Sequence, residues 1–217
     1  MTRLRGRLNT VDPRNLTQVI LAEGKCVDTS NRSHTKILAE IIVFSALSGV
    51  LYLTRVYTLI YGGSVTLGSM VPVMWLSMRR GIRVGFIAGV VYGILAFIID
   101  VTLVGAANII VTPVQVVLEY PLAFGLIGLT GMFHRKTVTY ALAGASISVF
   151  LRFLVHYFVG VFVWYALGFP VVQFGPFLAS QWVWPAIYNG SFLSIEFAIS
   201  ATLLAILVKR KTLDYGL

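Results

Sequence analysis

Charge is scarce in this chain. Of its 217 residues, only 12% are Asp, Glu, Lys or Arg, whereas roughly 25% are charged in a soluble globular domain. Hydrophobic residues make up 58%, and the mean hydropathy is +0.86. This composition excludes a soluble fold and predicts a single all-α domain that is integral to a membrane.

Cysteine and nucleotide-binding motifs are also lacking. The one cysteine, Cys26, excludes an internal disulfide and a metal site with several cysteine ligands. The chain has no Gly-rich loop that ends in GK[ST], the sequence that cradles ATP phosphates. We therefore expect neither a metal nor a cofactor, and any ATP-driven step must come from partner proteins.

Acidic residues are few, eight against 17 Lys and Arg, and the formal net charge is +9. Residues 1–36, which we expect to form a flexible cytoplasmic tail, and the clusters at 79–83, 134–136 and 209–211 hold 15 of those 17 cations. Cations clustered between apolar segments indicate membrane orientation rather than nucleic-acid binding. With six spans, all four clusters lie on one side, so the positive-inside rule predicts that both termini are cytoplasmic.

Six apolar segments make up the predicted membrane domain, residues 37–211. They cover residues 37–60, 65–78, 84–104, 112–134, 137–164 and 181–208. Five are long enough to cross the hydrocarbon layer, which takes about 20 residues. The second has about 14 residues, or roughly 21 Å as a helix. We therefore expect a short helix whose outer end is replaced by an ordered loop that caps a pocket.

Glu119 stands within the fourth segment, where a carboxylate costs about 2.5–3.5 kcal/mol. Gln115 lies one turn earlier on the same helical face. Pro121 loosens the backbone beside them. These residues predict a polar pocket inside a helical bundle. The alternative is a structural Glu that is neutralised by a Lys or Arg.

Two further polar residues fall at a similar depth. At a rise of about 1.5 Å per residue from the basic ends, Glu119 lies roughly 21 Å up, and His156 and Asn189 lie roughly 28 Å up. The aromatic residues near this level are Tyr120, Tyr157, Tyr188, Trp164, Trp182 and Trp184. Such a set suits a flat, cationic ligand that carries an amino-substituted ring. Interfacial aromatic belts and a core histidine would give the same pattern without a ligand.

Two pairs have a simpler interpretation. Arg152 and Glu196 lie near mid-membrane on the fifth and sixth segments, where they can pair with each other. Ser45 and Gly49 are four residues apart in the first segment, a spacing of small residues that lets another helix approach closely. We favour packing within the chain over a docking face for a partner.

Several motifs together resemble one family. They are GGSVTLGSMVP at 62–72, WLSMRRGIRVGFIAGVVYG at 75–93, QVVLEYPLAF at 115–124, H-x3-G-x3-W at 156–164 and YNGSF at 188–192. In this order they resemble the thiamin-specific substrate-binding subunit (S-component) of energy-coupling-factor (ECF) transporters, the ThiT family. The resemblance implies a six-helix bundle in the cell membrane that captures extracellular thiamin with high affinity. It also implies a membrane coupling subunit and two cytoplasmic ATPase subunits as partners.

The resemblance also implies which residues bind the substrate. Glu119 takes the position of the family's carboxylate for the aminopyrimidine, with Tyr120 beside it. His156 and Trp164 take the positions that flank the thiazolium, and Asn189 takes that of the helix-six asparagine.

The remaining predicted site residues are Trp184, Tyr188 and Arg152. Trp184 stands where some members have a tyrosine, so an aromatic face is kept and a hydroxyl is lost. Tyr188 adds a further aromatic ring. Arg152 is the one basic residue well inside the bundle, where a phosphorylated ligand would need a cation.

The match to the family is incomplete in two places. A loop tryptophan of some members falls on Gly63, which puts part of the lid chemistry in question. The family's small residues on helix one fall on Ile42 and Ala46, so either Ser45 and Gly49 replace them or the contact with the coupling subunit differs.

Two other functions stay open at this stage. One is an S-component-like carrier for another vitamin or for a thiamin precursor. The other is an intramembrane hydrolase that uses Ser191 and His156, which lacks a second acid in register and a nucleophile on a sharp Gly-flanked turn. We therefore predict a binding and transport protein rather than an enzyme.

Overall fold

The computed structural model describes residues 34–59, 62–103, 112–133, 137–166, 180–211 and 213. The described helices are α1 (His34–Tyr52), α2 (Val71–Arg80), α3 (Ile82–Thr102), α4 (Pro113–Met132), α5 (Val138–Trp164) and α6 (Val183–Lys209). Two antiparallel strands, β1 (Arg55–Thr58) and β2 (Ser64–Thr66), form a hairpin between α1 and α2. The chain divides into two units, Met1–Ala39 and Glu40–Leu217. The predicted tail lies almost wholly outside the described residues and stays a prediction.

Among the described helices, five are long and apolar enough to cross a membrane. The second, α2, has ten residues, or about 15 Å at the usual rise, so the short second helix is confirmed. Its predicted bounds are wrong, because residues 64–66 form β2 and the helix begins only at Val71. Gly68 has a φ of 83°, which interrupts a helix, and Pro72 stands in the first turn of α2.

The predicted first span is also too long. The helix ends at Tyr52, and the chain turns into β1 instead of continuing to residue 60. Val56, Tyr57 and Thr58 are β-branched or aromatic, types that suit a strand better than a helix. Strand β2 is fully buried, and its pairing with β1 satisfies backbone groups that burial removes from water.

Helix α3 packs very closely on α4 through a stripe of glycines at Gly85, Gly89 and Gly93. A Cβ atom on Gly89 would lie 2.4 Å from the carbonyl oxygen of Phe124, and one on Gly93 would lie 2.5 Å from that of Tyr120. No side chain fits in that space. This close approach sets the position of the α4 backbone on α3.

Helix α1 packs on α3, where Ser45 Oγ donates to the carbonyl oxygen of Ala88 at 2.9 Å. The interpretation of Ser45 and Gly49 as internal packing residues is therefore confirmed. Ile42 and Ala46 are exposed on the adjoining face of α1.

Near the start of α1, the buried carboxylate of Glu40 accepts two hydrogen bonds, of 2.5 and 2.6 Å, from Arg80 of α2. These bonds raise the pKa of Arg80, so this guanidinium stays charged. The ion pair joins α1 to α2 beside the basic turn at residues 79–83.

Candidate substrate-binding site

Glu119 lies on a widened turn of α4. The helix begins after Thr112, whose Oγ1 accepts a hydrogen bond from the N–H of Gln115 at 3.2 Å. It then changes to a π-helix over Leu118–Leu122. Pro121 lies inside this turn and has no N–H to donate, which disrupts the regular hydrogen bonding. Such π-turns occur frequently at functional sites.

A second π-turn, Gly160–Trp164, ends α5 and carries Trp164. It begins at Gly160, where a Cβ atom would lie 2.7 Å from Cβ of Pro185 on α6. Glycine therefore lets α5 approach the start of α6 closely. The two π-turns place their polar side chains opposite each other.

Glu119, Trp164 and His156 meet between α4 and α5. The Nε1–H of Trp164 donates to Glu119 Oε1 at 3.1 Å, and His156 Nδ1 lies 4.0 Å from the same oxygen. The side chains of His156 and Glu119 are 11% and 16% exposed, respectively. His156 Nε2 is buried and has no hydrogen-bond partner among the described residues. The imidazole therefore has one nitrogen available to a ligand.

Asn189 joins this group from α6. Its Nδ2 donates to the carbonyl oxygens of Pro185 at 2.9 Å and His156 at 3.4 Å. Because the backbone takes the amide hydrogens, a ligand donor would meet Asn189 at Oδ1. The structure thus brings the predicted carboxylate, imidazole and carboxamide together from three successive helices.

The aromatic residues predicted for the site have different surroundings. The Tyr120 hydroxyl donates to Asp100 Oδ2 at 2.9 Å, toward α3. The Tyr188 hydroxyl accepts from the N–H of Gly63 at 3.1 Å, and the Trp184 ring lies 5.9 Å from that of Tyr188. A Cβ on Gly63 would lie 2.8 Å from the Phe192 ring, which explains why no tryptophan fits at this loop position.

Arg152 lies one turn before His156 on α5, and its charge is compensated inside the bundle. Its Nη1 lies 3.5 Å from Glu196 Oε2, and its guanidinium carbon lies 4.2 Å from the centre of the Phe124 ring. Both charged residues are buried. The predicted pairing of Arg152 with Glu196 is confirmed.

A second polar cluster, centred on Asp100, was not predicted from the sequence. Its carboxylate accepts hydrogen bonds from Tyr52, Tyr120 and Arg55, three residues from three different elements. Arg55 lies on β1 and forms an ion pair with Asp100. The sequence did contain a sign of this ion pair, because Arg55 and Asp100 are opposite charges near the outer ends of the first and third apolar segments.

The described residues do not support the alternative interpretations of the site. Glu119 has Trp164 and His156 as its close polar neighbours there, not a Lys or Arg. The hydroxyl of Ser191 is exposed and donates to the carbonyl oxygen of Tyr188 at 2.7 Å, so it does not pair with His156. A groove of about 350 Å³ between α4 and α5 has an apolar lining that includes Leu118 and Phe162, and it contains none of the predicted site residues.

The chain is similar to known proteins in both sequence and fold. The model of the family described as Thiamine transporter protein (Thia_YuaJ) matches residues 38–214. The thiamine transporter ThiT of Lacticaseibacillus paracasei is 33% identical over 151 residues, which cover 64% of this chain and 68% of that protein. ThiT of Bacillus subtilis is 28% identical over 152 residues, which cover 67% and 75%.

A solved structure of ThiT from Listeria monocytogenes has a TM-score of 0.69 and 25% identity to this chain. The match covers 83% of this chain and 98% of that one. The all-α membrane fold predicted from the sequence is therefore confirmed, and the protein is a transporter rather than an enzyme. From residue 38 to residue 214, this multi-pass membrane protein is a member of the Thiamine transporter protein family.

Proposed function

We propose that the protein captures extracellular thiamin at the site between α4, α5 and α6, as the S-component of an ECF importer. The observation that carries this proposal is the convergence of Glu119, His156 and Trp164 on one partly buried point. The similarity to two thiamine transporters supports the choice of ligand.

The chemistry of thiamin matches these residues. It joins an aminopyrimidine, which offers an exocyclic amine, to a thiazolium cation. The carboxylate of Glu119 would accept from the amine, and Oδ1 of Asn189 would complete the hydrogen bonds of that ring. Trp164 would stack on the thiazolium and His156 would flank it, because an aromatic face attracts a desolvated cation.

Thiamin binding would change the contact that Glu119 makes in the absence of a ligand. The N–H of Trp164 occupies Glu119 Oε1 at 3.1 Å. The incoming amine would replace this donor or share the carboxylate with it. The bond from Trp164 to the Glu119 carboxylate is charge-assisted, and the amine would replace it with another of the same kind. A neutral ring without a donor could not replace it and would bind weakly.

ATP-driven transport would take its ATPase activity from partner proteins, since the sequence carries no ATP-binding motif. Helix α1 presents an exposed apolar face with Ile42 and Ala46, and Ile42 is 57% exposed. We place the contact with the membrane coupling subunit on this face. Two ATPase subunits would then act from the cytoplasmic side, where the basic clusters predict both termini to lie.

The direct test of Glu119 is its replacement by Gln, which keeps the shape and removes the charge. We expect Glu119→Gln to raise the Kd for thiamin more than tenfold, because a hydrogen bond to a charged group is worth about 1.5–3 kcal/mol. Isothermal titration calorimetry on the purified protein would measure this.

Glu40→Gln is the matched control. It makes the same chemical change at the Arg80 ion pair, away from the site. Its Kd should stay within about twofold of the wild-type value, a difference of less than 0.5 kcal/mol. Equal Kd values for Glu119→Gln and the wild type would remove Glu119 from the binding site.

A further inference from the structure

Helix α3 contributes no side chain to the proposed site, yet it contacts the residue that follows Glu119 at two points. At one point, Gly93 lies against the backbone carbonyl of Tyr120, where a Cβ atom would approach to 2.5 Å. At the other, Asp100 Oδ2 accepts the Tyr120 hydroxyl at 2.9 Å. Both ends of Tyr120 are therefore fixed on α3.

Asp100 is itself held firmly. The carboxylate is buried, 3% exposed, and accepts from Tyr52 at 3.0 Å and from Arg55 of β1. The Arg55 guanidinium also lies 4.3 Å from the centre of the Tyr52 ring. A buried carboxylate with a cation and two hydroxyl partners has a well-defined orientation, because it would lose several hydrogen bonds by moving.

The bond between Tyr120 and Asp100 also affects the position of Glu119, because Glu119 and Tyr120 share the π-turn. Glu119 and Tyr120 are adjacent on a turn that Pro121 prevents from forming regular helical hydrogen bonds. Such a turn has fewer backbone hydrogen bonds to fix its side chains. The hydrogen bond from Tyr120 to Asp100 therefore fixes the turn instead. The ring of Tyr120 also packs edge-on against Phe97 of α3 at 5.3 Å.

We propose that Asp100 is a positioning residue for substrate binding: through Tyr120 it fixes the π-turn so that Glu119 is aimed at the amine of the ligand. Neither Asp100 nor the hydroxyl of Tyr120 needs to touch the ligand. This inference rests on the proposed function, since it takes Glu119 as the group that binds the amine.

Two tyrosines on the same carboxylate oxygen provide the test. Tyr120→Phe removes the hydroxyl that ties the π-turn to Asp100, whereas Tyr52→Phe removes a hydroxyl from the same oxygen and keeps the Tyr120–Asp100 bond, with Arg55 still orienting the carboxylate. Both variants should lower the Tm by similar amounts. Tyr120→Phe should raise the Kd for thiamin at least about fivefold, whereas Tyr52→Phe should change it by less than about twofold.

Two further measurements separate positioning from direct contact. Asp100→Ala removes the acceptor and leaves the Tyr120 hydroxyl in place, so it should weaken binding as Tyr120→Phe does, with no added loss in the double variant. A thiamin analogue with oxygen in place of the amine should bind the wild type and Tyr120→Phe equally, because the contact in question is missing. A structural role alone would not produce this selectivity.

The inference is overturned if Tyr120→Phe and Tyr52→Phe change the Kd equally. It is also overturned if Asp100→Ala binds thiamin as the wild type does while Tyr120→Phe is weakened, since Tyr120 would then contact the ligand itself. A wild type that does not bind thiamin would instead overturn the proposed function, and the positioning role with it.

Discussion

At the scale of single residues, the sequence predicted which polar residues lie near one another better than it predicted their contacts. A carboxylate, an imidazole and a carboxamide at similar depth on three helices led to Glu119, His156 and Asn189, which the structure brings together. Helical rise alone gives that depth. It does not give side-chain direction, so the bond from Trp164 to Glu119 and that from Tyr120 to Asp100 were not predicted.

Trp164 is the residue for which the structure adds most to the sequence, because it both faces the expected thiazolium and donates to Glu119. Trp164→Ala should raise the Kd for thiamin about 30-fold, since a desolvated cation–aromatic contact is worth about 2 kcal/mol. Trp164→Phe keeps a ring and frees Glu119 for the amine, so its Kd should stay within about fivefold of the wild-type value. Calorimetry would measure both variants. Equal losses in the two would show that the N–H of Trp164, not its ring, supports binding.

At the scale of elements, the long apolar helices were predictable and the region between α1 and α2 was not. Hydropathy identifies a span but does not show where it stops, and the first span was predicted to continue through β1. The short second segment did indicate non-helical backbone at that depth, which is where the hairpin lies. The π-turns at 118–122 and 160–164 had only Pro121 and Gly160 as signals in the sequence.

The close approach of α3 and α4 depends on glycine and gives a second prediction. Gly89→Ala should destabilise the protein by about 1–3 kcal/mol, because the new methyl group overlaps the backbone of Phe124 and Gly125 and forces the helices apart. Gly190→Ala on α6 is the control, since its Cβ would meet nothing closer than 3.9 Å. It should be neutral or stabilise by up to about 1 kcal/mol, as Ala favours a helix over Gly.

Thermal unfolding of both glycine variants in detergent would show the difference as a lower Tm for Gly89→Ala alone. A similar Tm for both variants would contradict the close packing of α3 on α4. The same pair would also show whether helix packing, rather than helix propensity, determines stability here.

At the scale of the whole molecule, composition and charge clusters were sufficient to predict a multi-pass helical membrane protein. The family match over residues 38–214 confirms that prediction. Orientation was predicted from 15 cations in four clusters and stays a prediction, since it depends on the insertion of the chain and not on contacts within the fold.

Cysteine labelling in cells would test the orientation. In a Cys26→Ser background, Thr58→Cys on the hairpin should react with a membrane-impermeant maleimide added outside intact cells, and Lys211→Cys should not react. Both positions are exposed, so access to the reagent depends on the side of the membrane. Labelling of Lys211→Cys alone would contradict the predicted orientation.

The central claim is that this site binds thiamin, and titration of the purified protein with thiamin while tryptophan fluorescence is recorded tests it most directly. Trp164 lies against Glu119, so a bound thiazolium would quench its emission. The account predicts stoichiometric quenching at nanomolar thiamin, which corresponds to about −12 kcal/mol of binding free energy. No response from the folded protein up to about 100 μM, weaker than about −5.5 kcal/mol, would contradict it. A response to riboflavin or to a pyrimidine precursor in that case would show that the fold is right and the ligand wrong.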